Sequence, residues 1–251
     1  MTDRVSDSRV SCSPEEATRL SGNVRREYVK NLFDNLSGKY DFMNNIVSLW
    51  GTSRWRAKAL KQFMIANGDR LLDVGTGTGL LPCYLAKQRP DLDVTGVDIS
   101  KGMLSVASKR CPNAVFMVAD ATALPFENGS FGSVCSAFVI RNLQDRTTAL
   151  SEMARVLKPN GRMMILDSFA PLGWRSPMMR FWLRSIMPVV ASVFTDNRPY
   201  KYLAASICGP DLRPELTRTL VDLGLEIEYD GDIELGTIHL LVARKPASST
   251  C

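Results

Sequence analysis

Residues 71–79 read Leu-Leu-Asp-Val-Gly-Thr-Gly-Thr-Gly, an apolar run that leads into an acid and then into three glycines at alternate positions. Glycine allows a chain to turn sharply after a strand and lets its backbone approach a ligand closely. A second apolar run, residues 94–97, ends at Asp98, and an acid at the tip of the next strand can accept hydrogen bonds from ribose hydroxyls. The stretch predicts a strand, a glycine-rich turn and a pocket for a cofactor that carries a nucleoside.

The spacing of the glycines indicates which cofactor. Gly75, Gly77 and Gly79 follow the pattern G-x-G-x-G, whereas a dinucleotide site uses G-x-G-x-x-G, and no Lys-Ser or Lys-Thr pair follows to form a phosphate loop. Asp73 would repel a pyrophosphate but would attract a cationic amino group. This combination favours S-adenosylmethionine, which carries an ammonium, a sulfonium and no phosphate. The alternative is a glycine-rich turn that binds nothing.

Short apolar runs alternate with amphipathic segments from residue 70 onward, which is typical of an α/β fold with a doubly wound, mostly parallel sheet. A closing antiparallel pair would complete seven strands, and the segment Pro159-Asn160-Gly161 is expected to be a turn. Helices are also expected before the sheet, as an N-terminal helical segment over 24–36 and 54–64, and as a helical insertion over 174–210. Strands are predicted over 70–74, 93–97, 115–118, 132–138, 161–167, 225–229 and 237–242, and helices over 79–88, 101–109, 146–156 and 214–223.

The 251 residues suffice for one substantial domain, which we expect over residues 23–246 between a flexible leader, 1–22, and a flexible tail, 247–251. The net charge of +5 is spread along the chain, so no nucleic-acid partner is indicated. No apolar run approaches the length that spans a bilayer. The six cysteines form no C-x-x-C pair and there is a single histidine, so the sequence predicts no metal site and a reduced, cytoplasmic protein.

The chain resembles the Rossmann-like class I S-adenosylmethionine-dependent methyltransferases. The resemblance extends over residues 27–245, and its general motifs are specific for the cofactor but not for the substrate. These motifs are Leu72-Asp73-Val74-Gly75-Thr76-Gly77-Thr78-Gly79, Gly96-Val97-Asp98-Ile99-Ser100 with Met103, Ala119-Asp120-Ala121, Leu124-Pro125-Phe126, and Val156-Leu157-Lys158-Pro159 with Gly161.

Three motifs are narrower than these, namely Lys39-Tyr40-Asp41-Phe42-Met43-Asn44, Ile140-Arg141-Asn142-Leu143 and Tyr200-Lys201-Tyr202-Leu203-Ala204-Ala205-Ser206-Ile207. Through them the chain resembles, within that class, the ubiquinone/menaquinone biosynthesis C-methyltransferases. One departure concerns the acceptor: before Trp55 the subgroup usually has a histidine and an arginine or lysine, whereas residues 50–56 here read Trp-Gly-Thr-Ser-Arg-Trp-Arg.

The resemblance implies roles at the cofactor. Gly75 and Gly77 would lie under its methionine part, Asp98 would accept from the ribose, Met103 would pack on the adenine, and Asp120 would accept from the adenine amino group. Two of the assigned residues have alternatives, since Asp120 could instead cap the turn that follows it and Tyr40 could instead pack in the core. The cofactor-binding residues expected in this way are Tyr40, Asp73, Gly75, Gly77, Asp98, Ile99, Met103, Asp120 and Ala121.

The activity implied is methyl transfer to a ring carbon of a quinone precursor, an aromatic and prenylated small molecule. Arg141 and Asn142 follow an apolar strand, at the sheet edge where α/β folds bind ligands, and are the expected catalytic residues. Arg141 would stabilise a developing phenolate; alternatively it braces its loop by pairing with Asp145 or Asp120. Tyr202 and His239 are the expected substrate-binding residues, although a structural role for His239 is the alternative.

The stretch Trp174–Phe194 combines apolar, aromatic and basic residues and is expected to cover the acceptor pocket as a lid. Contact with a membrane surface, which would make the protein peripheral at a membrane, and burial in a homodimer are alternatives.

The sequence leaves two other functions of the protein open. One is a reaction that uses the same cofactor on a different small molecule, such as a natural product. The other is a cofactor-binding scaffold in a biosynthetic complex.

Overall fold

The computed structural model describes residues 22–36, 52–170, 176–192, 198–234 and 237–247. Its seven strands form a single sheet in the order β3-β2-β1-β4-β5-β7-β6. β7 runs antiparallel to both of its neighbours, and the other adjacent pairs are parallel. The predicted α/β fold with a mostly parallel seven-stranded sheet is therefore confirmed. The strands are β1 (Arg70–Val74), β2 (Asp93–Asp98), β3 (Val115–Val118), β4 (Phe131–Ala137), β5 (Leu157–Ser168), β6 (Glu226–Glu234) and β7 (Ile238–Arg244).

The helices follow the alternation that the sequence predicts. Two precede the sheet, three connect its parallel strands, and the insertion after β5 is helical. Tyr40 and nearly all of the expected leader lie outside the described residues. The helices are α1 (Gly22–Leu36), α2 (Thr52–Phe63), α3 (Leu80–Gln88), α4 (Lys101–Arg110), α5 (Arg146–Val156), α6 (Ser176–Phe181), α7 (Met187–Ser192), α8 (Arg198–Ile207) and α9 (Arg213–Asp222), with a short 3₁₀ turn, Ile140–Asn142, before α5 and a π-helical turn, Trp182–Ile186, between α6 and α7.

Both faces of the sheet are covered, which is why its central strands are continuously apolar. Successive side chains of β1 point to opposite faces, so that Leu72 and Val74 join one buried cluster while Leu71 joins the other. The first cluster also includes residues of α5 and α9, and the second includes residues of α2 and α3. The two cores hold β1 rigidly at the centre of the sheet.

The strand order reverses between β1 and β4. After β1 the chain continues outward through β2 and β3, and it then returns to place β4 on the other side of β1. Helical connections on opposite faces leave a crevice at such a reversal, outside the carboxyl ends of the strands. The glycine-rich turn after Val74 begins at this crevice.

Strand β5 begins four residues earlier than the sequence predicts, because the expected turn at Pro159-Asn160-Gly161 is incorporated into it as a bulge. Asn160 adopts a left-handed conformation, with φ of 63°. Its N–H donates to the carbonyl of Lys245 (2.8 Å), and the N–H of Lys245 donates to the carbonyl of Gly161 (2.9 Å). Backbone pairing with the end of β7 therefore keeps these turn residues within the sheet.

In the segment after β5, helical structure continues across Pro188. Proline lacks an N–H and cannot donate to the carbonyl four residues earlier. The chain adapts by widening into the π-helical turn just before it, where the N–H of Met187 donates to the carbonyl of Trp182. Within the residues that the structure describes, no helix is both long and apolar enough to span a bilayer.

Candidate active site

A cavity of about 390 Å³ opens at the carboxyl ends of β1, β2 and β4, at the reversal of strand order. It is lined by the glycine-rich turn, by the residues that follow β2 and β3, and by the 3₁₀ turn after β4. The structure thus brings together residues that lie far apart in the sequence. Nine of the residues expected at the site line this cavity, namely Asp73, Gly75, Gly77, Asp98, Ile99, Met103, Asp120, Ala121 and Asn142.

The glycine-rich turn is attached to the neighbouring strand. The N–H groups of Gly75 and Thr76 both donate to the carbonyl of Val97, at 2.8 and 2.9 Å. Gly75 and Gly77 adopt positive φ values of 75° and 56°, which side chains disfavour. A Cβ on Gly75 would lie 2.3 Å from the Val139 side chain, whereas a Cβ on Gly77 would meet nothing within 4 Å. Gly75 is therefore required by packing, and Gly77 leaves room for a ligand.

This difference predicts opposite outcomes for two alanine substitutions. Gly75→Ala forces Val139 or the turn to move, and we expect it to lower the free energy of unfolding by about 2–4 kcal/mol. Gly77→Ala is expected to cost only about 1–2 kcal/mol, for its backbone conformation, yet to weaken cofactor binding at least about tenfold. Urea denaturation and calorimetry with S-adenosylmethionine measure the two effects. Equal losses of stability in both variants would contradict the conclusion that packing requires Gly75 but not Gly77.

Asp98 is oriented by backbone donors. Its Oδ2 accepts from the N–H of Gly77 at 2.8 Å, and its Oδ1 accepts from the N–H of Ser100 at 2.9 Å. The Ser100 hydroxyl in turn accepts from the N–H of Met103 and caps α4. Burial raises the pKa of Asp98, and these backbone hydrogen bonds oppose that rise. A carboxylate is thereby fixed beside the glycine-rich turn, at the end of β2.

Asp73 is the second buried carboxylate of the cavity, with 2% of its surface exposed. The pKa of Asp73 is raised to about 6, chiefly by burial and to a lesser extent by the nearby charge of Asp98. The hydrogen bond from the Cys135 thiol, the neighbouring Thr76 side chain and the positive charge of Arg56 act in the opposite direction. Two carboxyl groups in a mainly apolar cavity create a site that favours a cation.

Asp120 fits both of the interpretations offered for it. Its Oδ1 accepts from the N–H of Thr122 at 3.0 Å, and its carbonyl accepts from the N–H of Ala123, so it caps the turn that follows. It also lines the cavity, on the side formed by the residues after β3. The cap fixes the carboxylate without removing it from the site, and the contact with adenine stays a prediction.

Helix α1 and helix α2 cover the cavity with residues that the sequence did not single out for the site. Val29 of α1 and Arg56 of α2 both line it. Asp34, in the last turn of α1, accepts from the Ser100 hydroxyl and from the N–H of Gly102 at 3.1 Å, which attaches α1 to the start of α4. Arg56 adds the only arginine among the described residues that line this cavity.

The two expected catalytic residues have different environments. Asn142 lines the cavity, whereas the Arg141 side chain is buried and pairs with Asp167 at the end of β5. Asp167 accepts from the Arg141 guanidinium through Oδ1 and from the Arg141 N–H through Oδ2 at 3.0 Å. The sequence had suggested Asp145 or Asp120 as the partner; Asp145 instead caps α5 through Thr148. Asp167, the partner of Arg141, is a residue that the sequence reasoning missed.

Tyr202 forms a hydrogen bond with Asn142. It is buried on α8, and its hydroxyl donates to Oδ1 of Asn142 at 3.4 Å. The amide nitrogen of Asn142 lies 3.5 Å from the carbonyl of Phe138, which it reaches with a long hydrogen bond. Tyr28 of α1 lies beside Tyr202, with ring centroids 6.0 Å apart. Tyr202 thus holds an amide at the edge of the cavity, and its direct contact with substrate stays a prediction.

His239 lies apart from this cavity, in a shallow cleft formed by α9, β6 and β7. Its Nδ1 lies 3.0 Å from an oxygen of Asp232 and its Nε2 lies 3.1 Å from an oxygen of Asp230. Pairing of β5 with β7 sets His239 directly opposite Asp167. These contacts agree with the structural alternative, and the predicted contact of His239 with substrate gains no support from its position.

The residues that line the cavity fit a cationic nucleoside cofactor better than a cofactor that carries phosphate groups. Asp73 and Asp98 would repel a pyrophosphate, and the open space at Gly77 provides the close backbone approach that a methionine chain needs. Met103 and Ile99 add apolar surface on which an adenine could pack.

Comparison with known proteins agrees with this geometry. Residues 21–240 match the model of the ubiE/COQ5 methyltransferase family. A demethylmenaquinone methyltransferase of Thermotoga maritima is 33% identical over 83% of this chain and 93% of the relative, and one of Chlorobaculum tepidum is 35% identical over 94% and 100%. The crystal structure of a possible histamine N-methyltransferase from Thermotoga maritima shares the fold with a TM-score of 0.61, at 18% identity over 86% of this chain and 99% of that one.

Proposed function

This chain belongs to the ubiE/COQ5 methyltransferase family and is an S-adenosylmethionine-dependent methyltransferase, and from that premise we propose that it methylates a ring carbon of a quinone precursor. The relatives named as demethylmenaquinone methyltransferases align along nearly their whole length with this chain, which supports an acceptor of that class. The observation that carries the proposal is the cavity itself, in which Asp73, Asp98 and the glycine-rich turn lie beside Asn142.

We propose that the amino-acid end of the cofactor binds between two charges. Asp73 would pair with its ammonium group, and Arg56, on the same cavity wall, would pair with its carboxylate. Asp98 would accept from the ribose hydroxyls, and Asp120 with Ala121 would bind the adenine edge, against Met103. When bound, S-adenosylmethionine supplies a methyl group made electrophilic by the sulfonium ion.

The acceptor side of the cavity must stabilise negative charge on a ring oxygen, because ionisation of a hydroxyl makes the neighbouring ring carbon nucleophilic. We propose that the Asn142 amide contacts that oxygen. Arg141 would add positive charge to the same turn, with Asp167 fixing the direction of its guanidinium. Positioning of the ring carbon opposite the leaving sulfur would supply much of the rate enhancement.

Helices α6–α8 would form a lid over this side. Helix α8 contacts the 3₁₀ turn through Tyr202 and Asn142, and α6–α7 pack against α8 through Leu183 and Met187. A prenylated acceptor is a lipid, so we also propose that the protein works at a membrane surface.

Tyr202→Phe tests whether the orientation of Asn142 matters. The variant removes the hydrogen bond from the hydroxyl to Asn142 and leaves the ring in place, so we expect kcat to fall about three- to tenfold while the affinity for S-adenosylmethionine is unchanged. Steady-state kinetics and calorimetry measure the two quantities. Tyr229→Phe on β6 is the matched control, and an equal effect there would argue against a specific role for Tyr202.

The acceptor is tested by product analysis. The protein is incubated with S-adenosylmethionine and a panel of reduced quinone precursors that differ in ring type and prenyl length, and the products are identified by mass spectrometry. We expect methylation on carbon, and none by Asp73→Asn. Methylation of oxygen only, or of none of the quinone precursors, would contradict the proposed acceptor while leaving the cofactor site untouched.

A further inference from the structure

A group of large apolar side chains is exposed on the helical segment that runs through α6, the π-helical turn and α7. Nine large apolar residues are well exposed among those the structure describes, and four of them lie within these seventeen residues. Their helical spacing sets them on one side of the segment. We name this side the docking face; it consists of Met178 (65% exposed), Phe181 (61%), Trp182 (40%) and Val189 (64%).

The opposite side of the same segment is buried. Leu183 and Met187 pack against Tyr200, Ala204 and Ile207 of α8. The guanidinium of Arg180 also fastens the segment, because it donates to the carbonyl of Cys208 at 3.0 Å. The docking face is therefore presented by a helix already fixed to the protein, and its exposure does not follow from a lack of packing.

The segment that carries the docking face is basic. The segment Ser176–Ser192 contains Arg180 and Arg184 and no acid. Over residues 171–208 there are five basic residues and a single acid, Asp196, so this part of the chain accounts for +4 of the total charge of +5. Arg184 is exposed in the π-helical turn of the same segment, and none of the ion pairs found among the described residues involves it.

We propose that the docking face binds the surface of an anionic lipid bilayer, with Phe181 and Trp182 inserted among the acyl chains and Arg184 at the phosphates. Exposed aromatic residues flanked by arginines favour the interface of an anionic membrane. A second copy of the chain is a poorer occupant, because a two-fold contact at this face would bring basic residues against basic residues with no acid of the same segment to compensate.

The position of the docking face links it to the active site. It lies on α6–α7, which pack on α8, and α8 carries Tyr202 against Asn142. A bilayer bound there would adjoin the acceptor side of the cavity, from which a lipid-borne acceptor could enter. This inference rests on the membrane contact put forward with the proposed function and names the surface that makes it. Lipid binding is measured without cofactor or acceptor, so its failure and the failure of the proposed acceptor are distinguishable.

The test is cosedimentation of the purified full chain with vesicles of phosphatidylcholine alone and of phosphatidylcholine with phosphatidylglycerol. We expect binding to the anionic vesicles only, weakened by salt because the arginine contribution is screened. Arg184→Glu is expected to reduce the partition coefficient about tenfold. Phe181→Ser/Trp182→Ser should reduce it about tenfold or more through the loss of apolar contact.

Two controls make the outcome decisive. Arg218→Glu and Val221→Ser change an exposed arginine and an exposed valine on α9, and we expect neither to alter vesicle binding. Circular dichroism checks that all the variants are folded. The proposal is overturned if the wild type fails to bind anionic vesicles, or if the controls weaken binding as much as the docking-face variants do. It is also overturned if sedimentation velocity finds a dimer that these docking-face substitutions dissociate.

Discussion

Asp73→Asn is expected to abolish practical binding of S-adenosylmethionine and at the same time to make the folded protein more stable. The substitution keeps the shape of the side chain and removes its charge. Loss of one partner of a buried charge pair weakens binding by several kcal/mol, so we expect the dissociation constant to rise about 100-fold or more. Few substitutions at a binding site combine such a loss with a gain in stability.

The gain in stability follows from the pKa of Asp73. Burial raises this pKa from 3.8 to about 6, so the folded protein holds the proton more tightly than the unfolded chain does. The folded state is therefore destabilised progressively as the pH rises from the unfolded value of 3.8 to about 6; the penalty is constant above that range and absent below it. At about 1.4 kcal/mol for each pKa unit, the penalty at neutral pH is on the order of 3 kcal/mol.

Urea denaturation of the wild type and Asp73→Asn at several pH values measures this effect. We expect the variant to be more stable by up to about 3 kcal/mol at neutral pH and the difference to vanish near pH 4. Asp93→Asn, at the exposed start of β2, is the control and is expected to leave cofactor binding unchanged. A variant that is less stable than the wild type at neutral pH would show that the carboxylate is well solvated or paired.

Arg141→Ala is expected to lower both turnover and stability. It would leave Asp167 buried without its guanidinium partner, and breaking such a pair costs about 3–5 kcal/mol. It would also remove the positive charge proposed to stabilise the acceptor oxygen, so we expect kcat to fall at least about 100-fold. Denaturation and steady-state kinetics measure the two losses.

The double variant Arg141→Ala/Asp167→Ala separates the structural and chemical effects. Removing both partners should restore part of the stability that Arg141→Ala loses, because no uncompensated charge is left buried. Turnover should not recover with it. If turnover returns together with stability, or if Arg141→Ala alone keeps turnover within about threefold of the wild type, Arg141 has no role in the chemistry.

The cofactor side of the site could be predicted because its determinants are local in the sequence. Asp73 and the glycines lie on one strand and the turn after it, and Asp98 ends the next strand along the chain. Parallel pairing of adjacent strands brings their carboxyl ends together, so these residues share one crevice. The resemblance of the motifs to a known family then added the expectation that Met103 and Asp120 contact the adenine, and both residues line the cavity.

The acceptor side of the cavity depends on contacts between segments that are distant in the sequence, so it could be predicted less well. The pairing of Arg141 with Asp167 requires the register of β4 on β5, although an acid that ends an apolar run, as Asp98 also does, was a usable signal. Arg56 reaches the cavity only because of how α2 packs, which no local pattern indicates. The position of His239 beside Asp230 and Asp232 follows from the pairing of β6 with β7.

We propose that two buried carboxylates and a glycine-rich turn bind S-adenosylmethionine through its positive charge. Calorimetric titration of the cofactor between about pH 5 and pH 7.5 tests this mode of binding. Because Asp73 must be ionised to bind a cation, we predict that the affinity rises as the pH increases through about 6, and that Asp73→Asn abolishes the rise. No detectable heat at millimolar cofactor, or an affinity that is the same at every pH in this range, would contradict the claim.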